Sequence, residues 1–219
     1  MENHFDAIII GGSYSGLAAG LASGRALRRV LILDGGKPCN RQTPHSHNFL
    51  TQDGQAPAEI AALARRQVAR YRSVHFLSGI AMEASRYANG FRVNTDSGAA
   101  LFARKLVFAT GIRDILPHIP GVAECWGISV LHCPYCHGYE ARDKVTGLLG
   151  NGETGFEFSL LLRNWTRDLT LYTNGKSILT GEQAGVLAAG NIHVVETAIA
   201  ELKHGGGRLE SIPGCPAMN

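Results

Sequence analysis

The stretch that decides the fold is FDAIIIGGSYSG, residues 5–16, in which a short apolar run passes directly into a glycine turn. An apolar run of this length is typical of a buried β-strand. The Ala- and Leu-rich residues that follow predict a helix, and a second apolar run at residues 30–33 ends at Asp34. The pattern therefore predicts a strand, a tight turn, a helix and a second strand, the opening unit of a doubly wound α/β sheet.

The turn itself follows the G-x-G-x-x-G pattern, with Ser13 in place of the second glycine. In this pattern Gly11 permits the sharp turn and Gly16 lets the helix approach the strand, while N–H groups at the start of the helix face a pyrophosphate. Asp34 would then accept hydrogen bonds from ribose hydroxyls. The Cβ of Ser13 stands where the backbone should come closest to phosphate. An ordinary glycine-rich turn therefore stays open as an alternative, although the position directly after an amino-terminal strand favours a dinucleotide site.

The same succession recurs at KVTGLLGNGETG, residues 144–155, this time with an unbroken G-x-G-x-x-G at Gly150, Gly152 and Gly155. A second helix and strand are predicted after it. Two nucleotide-binding turns, one in each domain, predict two dinucleotides, which is the composition of a flavoprotein that draws electrons from a nicotinamide.

These patterns predict an α/β protein of two Rossmann-like domains. Residues 1–112 form the amino-terminal part of a first domain, and residues 113–121, which contain two prolines, form a linker. Residues 122–219 form a second domain. Within the first domain, residues 35–56 lack hydrophobic periodicity and are predicted to be a long functional loop, whereas Asn89–Gly90 predicts a hairpin turn.

The composition indicates a globular protein that works on small molecules or proteins. Of the 219 residues, 45% are apolar and 18% are charged, and the formal net charge is +3 without a run of Lys or Arg. Such a charge pattern predicts no nucleic-acid or membrane partner. The amino terminus shows no secretory leader and no apolar stretch is long enough to span a bilayer, so we expect a cytoplasmic protein.

The stretch HCPYCHGYE, residues 132–140, concentrates the reactive side chains of the chain. A zinc site would need His132, Cys133, Cys136 and His137 together, but residues so close in sequence rarely all turn toward one tetrahedral ion. No metal is therefore predicted here. The His45 and His47 side chains have no further ligands nearby in sequence and are expected to face solvent or line a cofactor.

The favoured interpretation of this stretch is a redox-active dithiol. A C-x-x-C turn that opens a helix closes a small disulfide ring, and the helix amino terminus is expected to lower the thiol pKa toward the reactive thiolate. Pro134 stiffens the turn. His137, beside Cys136, would donate and accept protons near neutral pH. Buried, inert cysteines remain the alternative.

The order of these four features resembles the low-molecular-weight thioredoxin reductase family of pyridine nucleotide-disulfide oxidoreductases. The features are the first glycine turn, the linker after Ala109-Thr110-Gly111, the C-x-x-C and the second glycine turn, and the resemblance runs from Asp6 to about Pro213. It implies that Cys136 is the thiol nearer the flavin and that Cys133 attacks the substrate disulfide. Electrons would pass between NAD(P)H, FAD, the dithiol and a substrate.

The resemblance also implies the binding residues and the partners. The substrate would be a small dithiol or disulfide, or a thioredoxin-like protein, and the protein would be a homodimer. FAD would lie against one group of residues, namely Gly11, Gly12, Ser13, Ser15, Gly16, Asp34, Asn40, Arg41, Thr110 and Gly111. A nicotinamide nucleotide would lie against Gly150, Gly152 and Gly155.

Three departures from the family pattern affect the expected chemistry. His137 replaces the acid that usually follows the second cysteine, and CHGYE is more similar to dithiol oxidases that close disulfides in natural products such as gliotoxin. The second domain offers Lys176 alone where the family places an arginine cluster for the 2′-phosphate of NADPH. The chain also ends at Asn219, before the segment that returns to the FAD domain, so we expect a truncated or fragmentary member.

These departures leave two questions of function open. The reaction could be the reduction of a disulfide by NAD(P)H or the oxidation of a dithiol by dioxygen. The alternative to an enzyme is a non-catalytic dinucleotide-binding or redox-regulatory remnant, which the intact C-x-x-C disfavours.

Overall fold

The computed structural model describes residues 3–215, which divide into two compact units. The first unit comprises the described residues up to Arg41 together with Gln55–Asp114. The second comprises Gln42–Gly54 and the described residues from Ile115 onward. The segment Gln42–Gly54 thus lies in the sequence between two parts of the first unit. Its contacts place it in the second unit.

The first unit is a mixed sheet with two helices. Its six strands lie in the order β3-β2-β1-β6-β5-β4, with β1 parallel to β2 and β6, and β5 antiparallel to both of its neighbours. The order β3-β2-β1 is the first half of a doubly wound sheet. The elements are β1 His4–Ile10, α1 Tyr14–Arg25, β2 Val30–Asp34, α2 Pro57–Val68, β3 Val74–Ser78, β4 Ala81–Tyr87, β5 Gly90–Thr95 and β6 Ala100–Phe108.

The apolar run of β1 places hydrophobic side chains on both faces of this sheet. Ile8 packs in a cluster with Leu31 and Leu33, and the next residue, Ile9, packs in a separate cluster with Ile32. Successive side chains of a strand point to opposite faces, so a strand covered on both sides must be apolar at every position. This explains why the run appears in the sequence as continuous rather than alternating.

The hairpin between β4 and β5 turns one residue earlier than predicted. Tyr87 pairs with Gly90, so the turn residues are Ala88 and Asn89 rather than Asn89–Gly90. Ala88 has φ +48°. A Cβ at Gly90 would overlap the carbonyl oxygen of Ala103 in β6, so the sheet, rather than the turn, requires this glycine.

The second unit contains a three-stranded parallel sheet in the order β7-β8-β9 and a separate two-stranded hairpin. Leu169 and Leu171 of the central strand pack with Leu187 in its core. Both units therefore confirm the α/β class with parallel strands. The elements are α3 Val122–Cys125, α4 Pro134–His137, β7 Thr146–Leu149, α5 Gly152–Leu162, β8 Leu169–Tyr172, α6 Gly181–Ala189, β9 Ile192–Val195, β10 Lys203–Gly205 and β11 Arg208–Ser211.

Candidate functional site

The first glycine turn connects β1 to α1 and can be built only with glycine at its two ends. Gly11 has φ +108°, a conformation that residues with a Cβ rarely adopt, and an added Cβ would overlap the Ala109 carbonyl oxygen. A Cβ at Gly16 would overlap the Gly11 carbonyl oxygen. The helix and the strand therefore meet backbone to backbone. Ser13 is the N-cap of α1, and its side chain makes no capping hydrogen bond.

Asp34 lies at the end of β2, beside this turn. Its Oδ1 accepts hydrogen bonds from the backbone N–H groups of Gly12 and Gly36, each at 3.2 Å. These two bonds orient the carboxylate at the carboxyl end of the parallel strands, where doubly wound sheets bind their ligands. An acid fixed in this position is suited to accept from the hydroxyls of a ribose.

The other residues expected around the first dinucleotide lie in the same unit, but two of their side chains have local partners. Asn40 donates from Nδ2 to the hydroxyl of Tyr14 at 3.4 Å, and Arg41 donates from Nη1 to the Pro38 carbonyl at 3.3 Å. Ser15 lies in the first turn of α1. Thr110 and Gly111 follow β6, with the Thr110 N–H beside the Gly11 turn.

The second glycine turn connects β7 to α5 and is also tightly packed. A Cβ at Gly150 would stand 3.2 Å from the Gly155 Cα, and one at Gly155 would stand 3.0 Å from the Gly150 carbonyl carbon. Gly152 has φ +56°. Local sequence thus produces the same strand-turn-helix connection twice, once in each unit.

The second turn differs from the first because a side chain of the turn, that of Asn151, bonds to the turn and to the loop after β8. Asn151 accepts at Oδ1 from the N–H of Gly152 at 2.8 Å and of Ile178 at 3.0 Å, and it donates from Nδ2 to the Lys176 carbonyl at 3.0 Å. Asn174, in the loop after β8, accepts at Oδ1 from the Ile199 N–H at 2.8 Å. The role of Asn151 was missed in the sequence because its partners lie about 25 residues away.

The C-x-x-C forms a single turn of helix in the second unit. Cys133 is the N-cap of α4, and its carbonyl accepts from the N–H groups of Cys136 and His137 at 3.2 Å each. Both cysteines are half-buried free thiols. A Cβ at Gly138 would stand 2.8 Å from the Trp165 ring, so a glycine after His137 lets the turn pack on that indole.

The thiol of Cys136 has a raised pKa, contrary to the expected lowering. Burial, a hydrogen bond with Cys133 and the charge of Cys133 together raise the pKa of Cys136 from 9.0 to about 11. The expectation relied on a helix dipole, but α4 spans only Pro134–His137, too few aligned peptide units to offset desolvation. Cys136 therefore keeps its proton at neutral pH in the dithiol state.

His137 has a pKa below its usual value of 6.5, because burial disfavours the charged ring and the neighbouring His47 and His132 repel a proton there. Glu140 acts in the opposite direction. The His137 ring stands edge-on to that of His47, with 6.3 Å between centroids. His132 stacks on Trp126 at 5.5 Å. A largely neutral His137 can accept a thiol proton at neutral pH.

Two further features concern groups of metal-binding side chains and membrane-spanning helices. Within residues 3–215, no group of three or more His, Cys, Asp or Glu side chains is arranged to hold a metal ion. No helix in that same range is long and apolar enough to cross a membrane.

Comparison with known proteins identifies the class to which these features belong. Residues 5–198 match the pyridine nucleotide-disulphide oxidoreductase family, and the chain belongs to that family. The resemblance inferred from the four motifs is thereby confirmed. Thioredoxin reductases of this family use FAD and NADPH.

Individual relatives are similar over most of the chain. Thioredoxin reductase tcpT of Claviceps purpurea is 36% identical over 92% of this chain and 65% of its own length. An oxidoreductase from Agrobacterium tumefaciens is 40% identical, with a TM-score of 0.89 over 99% of this chain and 72% of that one. TrxB of Bacillus anthracis is 32% identical, with a TM-score of 0.91 over 94% and 70%. The chain thus spans less than two thirds of the first relative.

Proposed function

We propose that the protein is an FAD-dependent dithiol/disulfide oxidoreductase in which Cys133 and Cys136 form the redox-active pair. The observation that carries the proposal is the pair of free, half-buried thiols held in one helical turn beside His137. Membership of a disulphide oxidoreductase family supports it. Inert structural cysteines would need neither a hydrogen bond between the two sulfurs nor a titratable ring as the next residue.

The residues around the first glycine turn fit FAD. The backbone of Gly11 and Gly16 leaves no room for side chains, the helix start carries no capping side chain, and Asp34 is oriented by two N–H groups. We assign the pyrophosphate to this turn and a ribose to Asp34. When bound, FAD supplies an acceptor and donor of two electrons. Gly150, Gly152 and Gly155 are the corresponding residues for a nicotinamide nucleotide.

The disulfide form of the pair, Cys133–Cys136, can oxidise a small dithiol in two exchanges with the help of His137. The substrate thiol loses its proton to His137 and its sulfur attacks Cys133 Sγ. The Cys133–Cys136 bond breaks, and Cys136 leaves with the bonding electrons and takes the proton from His137. A second substrate thiolate then attacks the substrate sulfur in the mixed disulfide and releases Cys133, which is protonated in turn. The substrate ends as a disulfide, and the protein pair ends as a dithiol with two more electrons and two more protons.

The raised pKa of Cys136 explains why this exchange needs His137. A thiolate of high pKa is a poor leaving group, and burial, the largest cause of the raised pKa of Cys136, persists during the exchange, so Cys136 leaves more readily when it is protonated. A positioned acid–base group contributes roughly 10²–10⁴-fold to such a step. His137→Ala is therefore expected to slow turnover by that range, and His132→Ala, which loses a ring stacked on Trp126, is expected to matter less.

The closed second turn favours dithiol oxidation over reduction by NAD(P)H. The two electrons taken from the substrate would then pass to dioxygen, which would be reduced to hydrogen peroxide. The Gly152 N–H already donates to the Asn151 side chain, and the Asn174 side chain already accepts from the Ile199 N–H. Lys176 offers a single cation in place of the bidentate arginines that hold a 2′-phosphate efficiently. Because of its family, we also propose that the protein can act on a thioredoxin-like protein and that it forms a homodimer.

Differential alkylation with peptide mapping tests the pair. The purified protein should contain one disulfide, between Cys133 and Cys136, which mild reductant opens, while Cys39, Cys125 and Cys215 stay free. Cys136→Ser should abolish turnover, and Cys39→Ser, a change of an exposed cysteine, should not. Another oxidised pair would contradict the assignment. An absorption spectrum tests the flavin separately, since a colourless protein that still binds nucleotide would support a non-catalytic role.

The pH dependence of thiol reactivity provides a second test. Iodoacetamide reacts with the thiolate, so alkylation of Cys136 in the reduced protein should rise with pH to a midpoint near 11. In Cys133→Ala two of the three causes of the raised pKa are lost, and the midpoint should fall toward 9.0. A midpoint that does not move would show that burial alone raises the pKa.

A further inference from the structure

His47 lies in the segment Gln42–Gly54, far from the C-x-x-C in sequence but in the same unit. Its side chain is only 21% exposed, and its ring stands at 90° to the His137 ring with 6.3 Å between centroids. Edge-to-face contact at this separation is a preferred arrangement of rings. The segment thus brings a second imidazole to the residue that follows the dithiol.

Two carboxylates flank His47 on the side of Nδ1. Asp53 Oδ1 and Glu140 Oε1 each lie 3.6 Å from that nitrogen. Asp53 comes from the same segment as His47, whereas Glu140 comes from the stretch that carries the dithiol. His47 therefore joins the two pieces of chain through Glu140 and through His137.

The segment that carries His47 is held in a defined conformation. The Gly54 N–H donates to the Ser46 carbonyl at 2.8 Å, and the Asn48 N–H donates to Asp53 Oδ1 at 2.8 Å. His45 bonds through Nδ1 to the Gly54 carbonyl at 3.1 Å. These bonds fix the positions of His47 and Asp53 relative to each other, so the two side chains keep their arrangement within the segment.

We propose that His47, held between Asp53 and Glu140, is a positioning residue for the dithiol: it orients the His137 ring and controls proton transfer at that ring. The inference deepens the proposed function and rests on it. A charge on His47 disfavours a proton on His137, whereas the Glu140 carboxylate favours one. The charged and titratable groups that face this pair are Asp53, Glu140, His45 and His132.

The role follows from what His137 must do in the exchange. It has to be neutral when the substrate thiol arrives and protonated when Cys136 leaves, so its pKa must not rise far above neutral pH. His47 lowers the pKa of His137 and Glu140 raises it. Removing either should therefore shift the titration of His137, in opposite directions.

The first test is an NMR titration of the His137 imidazole in the reduced full chain, which requires neither flavin nor turnover. His47→Gln should raise the pKa of His137, and Glu140→Gln should lower it. His193→Gln is the matched control: it removes an exposed imidazole of β9 that is not among the groups acting on the pKa of His137, so the titration should stay at its wild-type position. An unchanged titration in a folded His47→Gln variant would overturn the inference, whatever the result for Glu140→Gln.

The second test is the pH profile of turnover with a small dithiol in the flavin-loaded protein. His47→Gln should move the acid limb to higher pH and reduce the plateau about tenfold, less than loss of His137 itself. A lower plateau with an unmoved limb would show a merely structural role and would count against the inference. Where His47→Gln fails to fold by circular dichroism, Glu140→Gln decides, by an acid limb moved to lower pH or left unmoved.

The two tests separate the inference from the proposed function. Shifted His137 titrations without any dithiol turnover would support the role of His47 in positioning His137 and contradict the oxidoreductase proposal. Turnover that depends on Cys136 and His137 but not on His47 would do the reverse.

Discussion

In the first unit the glycine turn after β1 ends beside an acid, whereas in the second unit the turn after β7 is closed by an amide. Asp34 accepts from the Gly12 N–H, and no capping side chain covers the start of α1. In the second unit Asn151 caps α5 and binds the following loop, and Thr173, not an acid, follows the second strand. Two matches to one motif thus differ in what they leave available to a ligand.

The glycine pattern determines the backbone of both turns, while nucleotide affinity depends on the polar groups around each of them. Both turns bring a helix onto a strand through glycines that touch backbone. Only the first combines this backbone with an oriented carboxylate. The two turns should therefore differ most in ligand binding.

The largest difference is expected from placing a methyl group in each turn. Gly16→Ala should cost about 3 kcal/mol of unfolding free energy and abolish FAD binding, because the new Cβ overlaps the Gly11 carbonyl oxygen. Gly155→Ala should cost about 1 kcal/mol, since its Cβ would stand 3.0 Å from the Gly150 carbonyl carbon. Urea unfolding and FAD titration by fluorescence measure both. Equal costs would remove the distinction between the turns.

A smaller effect is expected from the residues that follow the second strand of each unit. Asp34→Ala should weaken FAD binding about 10- to 100-fold, the worth of charged hydrogen bonds. Thr173→Ala is the matched change in the second unit. The Thr173 hydroxyl donates to the Gly175 carbonyl at 2.6 Å, so its loss should lower stability slightly and leave FAD affinity unaltered. An undiminished affinity in Asp34→Ala would contradict the ribose assignment.

The closed second turn can be opened by Asn151→Gly. Loss of the cap and of the links to Lys176 and Ile178 should cost about 1 kcal/mol in urea unfolding. The freed Gly152 N–H should strengthen NADPH binding about threefold, the worth of one modest hydrogen bond. Isothermal titration calorimetry measures this change. Weaker binding in the variant would show that Asn151 helps to hold the nucleotide instead of excluding it.

The smallest effect is the expected discrimination between NADPH and NADH. The two should reduce bound flavin slowly and at rates within about a factor of two, because Lys176 alone is a weak partner for a 2′-phosphate. A small dithiol should reduce the flavin faster, through Cys133 and Cys136. Anaerobic stopped-flow absorbance compares the three donors. Rapid bleaching by NADPH alone would instead establish a thioredoxin-reductase-like direction.

Much of the fold could be predicted because its signals are local. The continuous apolar run of β1, the glycines that follow it and the repeat at residues 144–155 each specify structure within a few residues. The C-x-x-C was likewise visible as a candidate pair. The hairpin was predicted but its turn was misplaced by one residue, because Gly90 serves contact with β6 rather than the turn.

The sequence by itself determined two strand-turn-helix units, a neighbouring pair of thiols and a histidine beside them, since periodicity and glycine positions act over short distances. Only the tertiary structure decided which groups surround them. In the folded protein, burial and the neighbouring Cys133 raise the pKa of Cys136. Asn151 bonds to a loop about 25 residues away, and the His47 ring contacts that of His137. Desolvation and contacts between distant segments depend on packing, and no local pattern encodes them.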